Sequence, residues 1–180
     1  MSDTEFLQGV VIRDCVEEDI PAVTAIYRHA VLNGTGTFEI EPPGEAEMKI
    51  RRRVMLASNY PYLIAESDRK VVGYAYANSY RPREAYAKTI ENSVYVRDGF
   101  HDRGIGQKLL AALIDVAAER GFRQMIAIIG DSENAGSIRL HEKLGFARAG
   151  LLRAVGHKHE RWLDTILMQL ELPLVESDMI

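Results

Sequence analysis

An α/β fold of the α+β kind, with a central mixed and twisted sheet of six to seven strands and helices on both faces, is predicted by three features of this sequence. Residues 88–96 have strand character, residues 107–121 put Leu109, Leu110, Leu113, Ile114 and Ala117 on one helical face, and residues 123–129 are nearly all apolar. Such a strand, helix, strand succession makes the two strands parallel with a right-handed crossover, and the apolar run predicts a last strand covered on both faces. Residues 62–66 and 70–77 flank Ser67, Asp68 and Arg69 as an antiparallel hairpin does. Two further strands, residues 148–155 and 161–171, complete the sheet.

The remaining elements follow in order. Residues 10–15 read as a first strand, and Asp19-Ile20-Pro21 opens a helix with a capping acid and a proline in its first turn. That helix carries Ile20, Val23, Ile26, Tyr27 and Ala30 on one face and ends near Asn33-Gly34. After a loop over residues 35–44, a second helix over residues 45–58 is expected to turn Ile50 and Val54 inward. Asp131 to Asn134 leads into a last helix through Ile138, Leu140 and Leu144 that stops at Gly145. Residues 175–180 read as a loose tail.

With 180 residues, nearly half of them hydrophobic, the chain is expected to form one domain over residues 1–180 with a core at about 10–172. No apolar run reaches membrane-spanning length and the start is polar, so the expected location is the cytoplasm, away from membranes. A net charge of −4 argues against a nucleic-acid partner. Arg51, Arg52 and Arg53 lie among Glu45, Glu47 and Lys49 and read as a solvated mixed-charge helix face. The single cysteine, Cys15, cannot form an internal disulfide and reads as a buried structural thiol. His157 and His159 stand two apart on a strand, but no third ligand is evident and no metal is expected.

The turn before the third helix carries the chemistry. A helix that begins in a glycine-rich turn presents unpaired amides and the positive end of its dipole to an anion, and Gly104 and Gly106 let a phosphate approach the backbone. A P-loop needs Gly-Lys followed by Ser or Thr, whereas Gly106 is followed by Gln107, Lys108 and Leu109. A dinucleotide fingerprint needs glycine or alanine where Leu109 stands.

His101-Asp102-Arg103-Gly104-Ile105-Gly106, after the strand end Ser93-Val94-Tyr95-Val96, resembles the central motif of the GNAT N-acetyltransferases, with His101 where arginine or glutamine is usual. The segment from Asn134 through Ser137, His141 and Gly145 to Phe146 is similar to that family's closing helix, with His141 where many members carry tyrosine. The resemblance implies acetyl-CoA as cosubstrate, held by Val94, Tyr95 and Val96, by Asp102, Arg103, Gly104, Ile105, Gly106 and Gln107, and by Asn134 and Ser137.

A narrower likeness to the phosphinothricin and methionine sulfoximine/sulfone acetyltransferases rests on the stretches 80–83, 89–96 and 156–164. It implies a small amino-acid substrate, a pocket using Phe38, Arg81, Pro82, Arg83, Glu91, Asn92 and Ser93, and a homodimer bordering that pocket. In the implied reaction Glu91 is the base, directly or through water, the Val96 N–H steadies the oxyanion, and His141 protonates the leaving thiolate. Without the family position, a strand glutamate is more often a surface residue and a lone helix histidine a packing one. Two guanidinium groups near a pocket suit bidentate capture of an acidic substrate group. A GNAT enzyme acting on a protein amine or polyamine, and a silent acyl-CoA-binding module, stay open at this level.

Overall fold

The computed structural model describes residues 7–173. In chain order the elements are β1 (Val11–Asp14), α1 (Ile20–Asn33), α2 (Glu45–Ala57), β2 (Tyr62–Ser67), β3 (Lys70–Ser79), β4 (Thr89–Val96), α3 (Ile105–Glu119), β5 (Gln124–Gly130), α4 (Ala135–Lys143), β6 (Ala147–Lys158) and β7 (Arg161–Glu171). They build a seven-stranded sheet in the order β1-β2-β3-β4-β5-β7-β6. Only β4 and β5 run parallel, as the helix between them requires; the other neighbours are antiparallel. The β2–β3 turn is closed by Asp68 and Arg69, both at positive φ (49° and 61°), a geometry whose twist matches that of paired strands.

Each face of the sheet has its own apolar layer. Leu109, Leu110, Leu113 and Ala117 of α3 pack with Ile90, Met125, Ala127 and Met168. On the opposite face Ile20, Val23, Ile26 and Tyr27 of α1 pack with Tyr62, Ile64 and Tyr74. Tyr62, Tyr74, Tyr76 and Tyr95 stack there as neighbours with ring centroids 5.2–6.1 Å apart.

Three expectations need correcting. Ile50 and Val54 are 58% and 60% exposed, while Met48 is buried. At 3.6 residues per turn, a residue two positions on lies about 200° around the helix, so the inward stripe runs through Met48, Arg52 and Met55. Arg52 follows that stripe inward to donate to the Cys15 carbonyl at 3.0 Å. Asp19 does not cap α1 with its side chain. It closes the short turn Glu17–Asp19, accepting from the Val16 N–H at 2.9 Å and from Arg13 at 2.8 and 2.9 Å. Finally, β5 is covered on one face only: Met125, Ala127 and Ile129 are buried, but Ile128 is 39% exposed, because α1 and α2 lie over β2, β3 and β4 and stop short of it. Cys15 is buried, and its thiol is pushed up to about 11 by that burial.

No helix among the described residues is long and apolar enough to cross a membrane.

Candidate active site

The site begins where the sheet splits. Pairing between β4 and β5 ends at Asn92 and Ala127, although β4 continues to Val96 along β3 and β5 continues to Gly130 along β7. The hydrogen bonds Tyr80 N–H to Thr89 O (3.4 Å) and Arg97 N–H to Val72 O (2.9 Å) fix the orientation of β4's main chain. Odd-numbered residues pair with β3, so the N–H and C=O groups of Val94 and Val96 point into the gap while those of Tyr95 do not. The Tyr95 ring packs on Tyr27 and Tyr74 at 5.1 and 5.2 Å, so its part in the cleft is that of a wall.

A cleft of about 550 Å³ runs from this gap to the start of α3. Its walls include Asn92 to Val96, Asp102, Gly104 to Gln107, Asn134 and Ser137. Gly104 sits at φ 78°, the left-handed conformation that turns the chain into α3. The first bond into the helix runs from the Lys108 N–H to the Gly104 carbonyl, so the amides of Ile105, Gly106 and Gln107 have no partner within α3. A Cβ on Gly106 would lie 3.4 Å from Leu140 and 3.7 Å from Val96, both of which line the cleft, so a larger side chain there would extend into it. This combination fits a diphosphate at the helix start with a thin arm lying along the split strand. Lys108 is not a phosphate ligand in this arrangement, because its Nζ donates to the carbonyls of Leu7 (2.6 Å) and Val10 (3.2 Å). The Arg103 guanidinium lies 5.4 Å over the Phe100 ring at the same end of the molecule.

Strand alternation then separates residues that sequence proximity groups together. Glu91, Ser93 and Tyr95 project toward the tyrosine layer, whereas Asn92 projects toward α3 and α4. Asn92 is therefore not beside Glu91. It is 6% exposed and its Nδ2 meets His141 Nε2 at 2.9 Å. His141 Nδ1 lies 2.8 Å from the Ser137 carbonyl, which can only accept, so Nδ1 carries the proton and Nε2 accepts from Asn92. Burial pushes the imidazole pKa down, against the Ser137 carbonyl, and keeps the ring neutral. Its one proton is held by the Ser137 carbonyl inside α4. Asn134 also holds the fold together locally, because its Oδ1 accepts the Ser137 N–H at 3.2 Å and caps α4.

Glu91 is half-buried beside Asn78 of β3. Burial pushes its carboxyl above the usual carboxylate range, and Arg81 partly opposes the shift. Arg81, Pro82 and Arg83 line a second hollow of about 350 Å³ together with Tyr86, which the sequence motifs did not single out. Its signal was local, since Tyr86 follows Arg83 by one helical turn in Glu84–Tyr86. Phe38 lines neither cavity. Its ring occupies the space that a side chain on Gly130 or Gly156 would need, while its loop neighbours Gly34, Gly36 and Thr37 line the cleft instead. His29, Asn33, Arg139 and Lys143 also face the cleft; Arg139 and Lys143 are four apart on α4 and share a face. His157 stacks near Trp162 at 5.0 Å while His159 turns to the Gly34 carbonyl, so the two do not converge.

Residues 23–146 match the Acetyltransferase (GNAT) family. The chain is 48% identical over 162 residues to a phosphinothricin N-acetyltransferase of Alcaligenes faecalis, covering 90% of this chain and 81% of that one. It is 41% identical over 167 residues to an L-methionine sulfoximine/L-methionine sulfone acetyltransferase of Pseudomonas paraeruginosa, covering 92% and 96%. The crystal structure of a GNAT superfamily phosphinothricin acetyltransferase from Sinorhizobium meliloti in complex with AcCoA superposes with a TM-score of 0.88 at 45% identity, covering 91% of this chain and 89% of that one. A split parallel pair, a bare helix start and relatives alike over nine-tenths of the sequence agree: the chain belongs to the GNAT family of acetyltransferases.

Proposed function

We propose that this protein moves the acetyl group of acetyl-CoA to the α-amine of a small amino acid or analogue of the phosphinothricin or methionine sulfoximine/sulfone type, by direct attack in a ternary complex. The observation that carries this reading is Glu91: a half-buried carboxyl with a raised pKa, one strand position from the split in the sheet and within electrostatic reach of Arg81. Such a carboxyl is tuned toward the range where a base works at neutral pH.

In this reading the amides at Ile105, Gly106 and Gln107 hold the diphosphate, with Asp102, Arg103 and Gly104 shaping the loop. Val94 and Val96 offer main-chain groups to the pantetheine arm, and Asn134 and Ser137 border it. Glu91 takes one proton from the substrate ammonium, directly or through water. The freed nitrogen attacks the thioester carbonyl, and the Val96 N–H steadies the oxyanion. As the C–S bond breaks, the nitrogen's second proton passes to the sulfur. Arg81 and Arg83, with Pro82 and Tyr86, receive the substrate's acidic groups; Ser93 lies beside Glu91 on the same strand face.

The enzyme acts in the cytoplasm as a single domain, and disposal of toxic amino-acid analogues is a use consistent with this chemistry. It works as a homodimer: Leu151, Leu152 and Val155 on the edge strand β6, and Trp162 on β7, are 45–68% exposed and supply an apolar face. Sedimentation of the free protein tests this, and a monomer at micromolar concentration removes it. A polyamine acceptor would favour an acidic pocket, which Arg81 and Arg83 oppose. Thiol release from acetyl-CoA with phosphinothricin, methionine sulfone, a polyamine and a peptide amine tests the main reading. Turnover is expected with the first two, and its absence with every α-amino acid overturns the assignment.

A further inference from the structure

The loop after α1 has neither helix nor strand, yet Gly34, Thr35, Thr37, Phe38 and Glu39 in its first half are all fastened, and most of the fastenings come from one place. That place is the tip of the β6–β7 hairpin, whose two turn residues, His159 and Glu160, both have positive φ. His159 Nε2 donates to the Gly34 carbonyl at 3.3 Å. Arg161 holds Asp131 at 2.6 Å, and Asp131 in turn accepts from the Thr35 hydroxyl at 2.8 Å. The Lys158 ammonium donates to the Thr37 carbonyl at 2.8 Å. Gly156 and Gly130 are bare where the Phe38 ring sits, and a Cβ on either would overlap it.

Lys158 is the unusual member of this set. It is 4% exposed, and a buried lysine is rare without a partner. Burial pushes its pKa down, and Glu39, itself held by Arg51, opposes that shift. The loop it grips leaves α1, which packs on β3 and β4, and sets Phe38 against Gly130 of β5 and Gly156 of β6 before it turns back to α2, so it reaches across the two halves of the split sheet on the Glu91 face. Gly34, Gly36 and Thr37 of the same loop line the cleft.

We propose that Lys158 is a positioning residue: through the Thr37 carbonyl, and with Phe38 keyed against Gly156 and Gly130, it fixes residues 34–39 as the wall that seats the acceptor and keeps water from the thioester. The proposal rests on the acetyl-transfer reading above. Without the wall, water competes with the amine: the C–S bond breaks, water gives its OH to the acetyl carbon to form acetic acid, and its remaining hydrogen goes to the thiol.

The test compares Lys158→Met, Lys158→Arg and Gly156→Ala in the full chain. Lys158→Met removes the donor at similar length, and Gly156→Ala dislodges Phe38 without touching any charge. Both are expected to speed amide hydrogen exchange in residues 34–39, raise the acceptor KM on the order of tenfold, as loss of a charged hydrogen bond does, and raise hydrolysis relative to transfer. Coenzyme A affinity is expected to fall by less than the acceptor KM rises, since the amides of Ile105, Gly106 and Gln107 are unaltered and only one wall of the cleft is loosened. Lys158→Arg keeps a charged donor and is expected to recover part of the acceptor KM. Unchanged exchange in both disruptive variants refutes the latch whatever their activity. Faster exchange with an unaltered KM and hydrolysis ratio refutes its role in catalysis. A wild type that acetylates no α-amine refutes the reaction itself, and the exchange result then decides the latch separately.

Discussion

Replacing Glu91 with glutamine removes the proposed base while keeping its shape. The side chain stays on the same strand beside Asn78, and no cavity forms. General-base catalysis by a positioned carboxylate contributes about 10²–10⁴-fold, or roughly 2.7–5.5 kcal/mol of barrier. The kcat for acetyl transfer to methionine sulfone is therefore expected to fall by at least about a hundredfold. Coenzyme A binding, measured by calorimetry, should be unchanged. The pH dependence supplies an independent reading. Because burial raises the Glu91 pKa, the wild-type kcat/KM is expected to climb with pH until the folded-state pKa is passed and then level off, and Glu91→Gln should lose that limb. Stability moves the other way. A carboxyl whose folded pKa is raised carries no penalty below its unfolded pKa and a full one above its folded pKa, so the variant's Tm relative to wild type should rise across that interval. A variant that keeps more than a tenth of kcat, or keeps the pH limb, refutes Glu91 as the base.

Arg81→Gln removes the charge that opposes the Glu91 shift, so the limb is expected to move to higher pH, and the acceptor KM to rise about 10–100-fold if a charged contact to the substrate is lost. Steady-state kinetics as a function of pH, run on wild type and variant alike, would detect both. Gly106→Val fills the space between Leu140 and Val96 and should weaken coenzyme A at least about tenfold in calorimetry, a cost of about 1.4 kcal/mol, with kcat at saturation far less affected. Asp19→Asn probes the fold rather than the site. Burial raises the Asp19 pKa, but Arg13 and the Val16 amide outweigh it and hold the carboxyl below its usual range. Its stabilisation is complete above the unfolded pKa and is lost as pH falls through the folded one. The variant should be about 2 kcal/mol less stable in urea at neutral pH, with the gap closing in acid.

The glycine-rich turn into α3 was legible in the sequence because its signal is local. Gly104 and Gly106 act through their own backbone, and the helix that follows declares itself by the spacing of Leu109, Leu110 and Leu113. The order of strands and helices was legible for the same reason, since periodicity is a property of neighbours along the chain. Tertiary structure decided what depends on partners distant in sequence. Periodicity pointed to Ile50 and Val54 as the inward residues of α2, whereas packing against β2 buries Met48 and leaves those two exposed. That Asn92 turns from Glu91 to His141 follows from strand alternation, but that the His141 ring holds its proton on Nδ1 required the Ser137 carbonyl at 2.8 Å. The parting of β4 from β5 after Asn92, and the grip of Lys158 on a loop 121 positions earlier, appear only once the sheet is assembled. Local sequence fixes a residue's backbone preference. Folding fixes which charges, amides and rings share a space, and that sharing sets the protonation and reach of the groups that react.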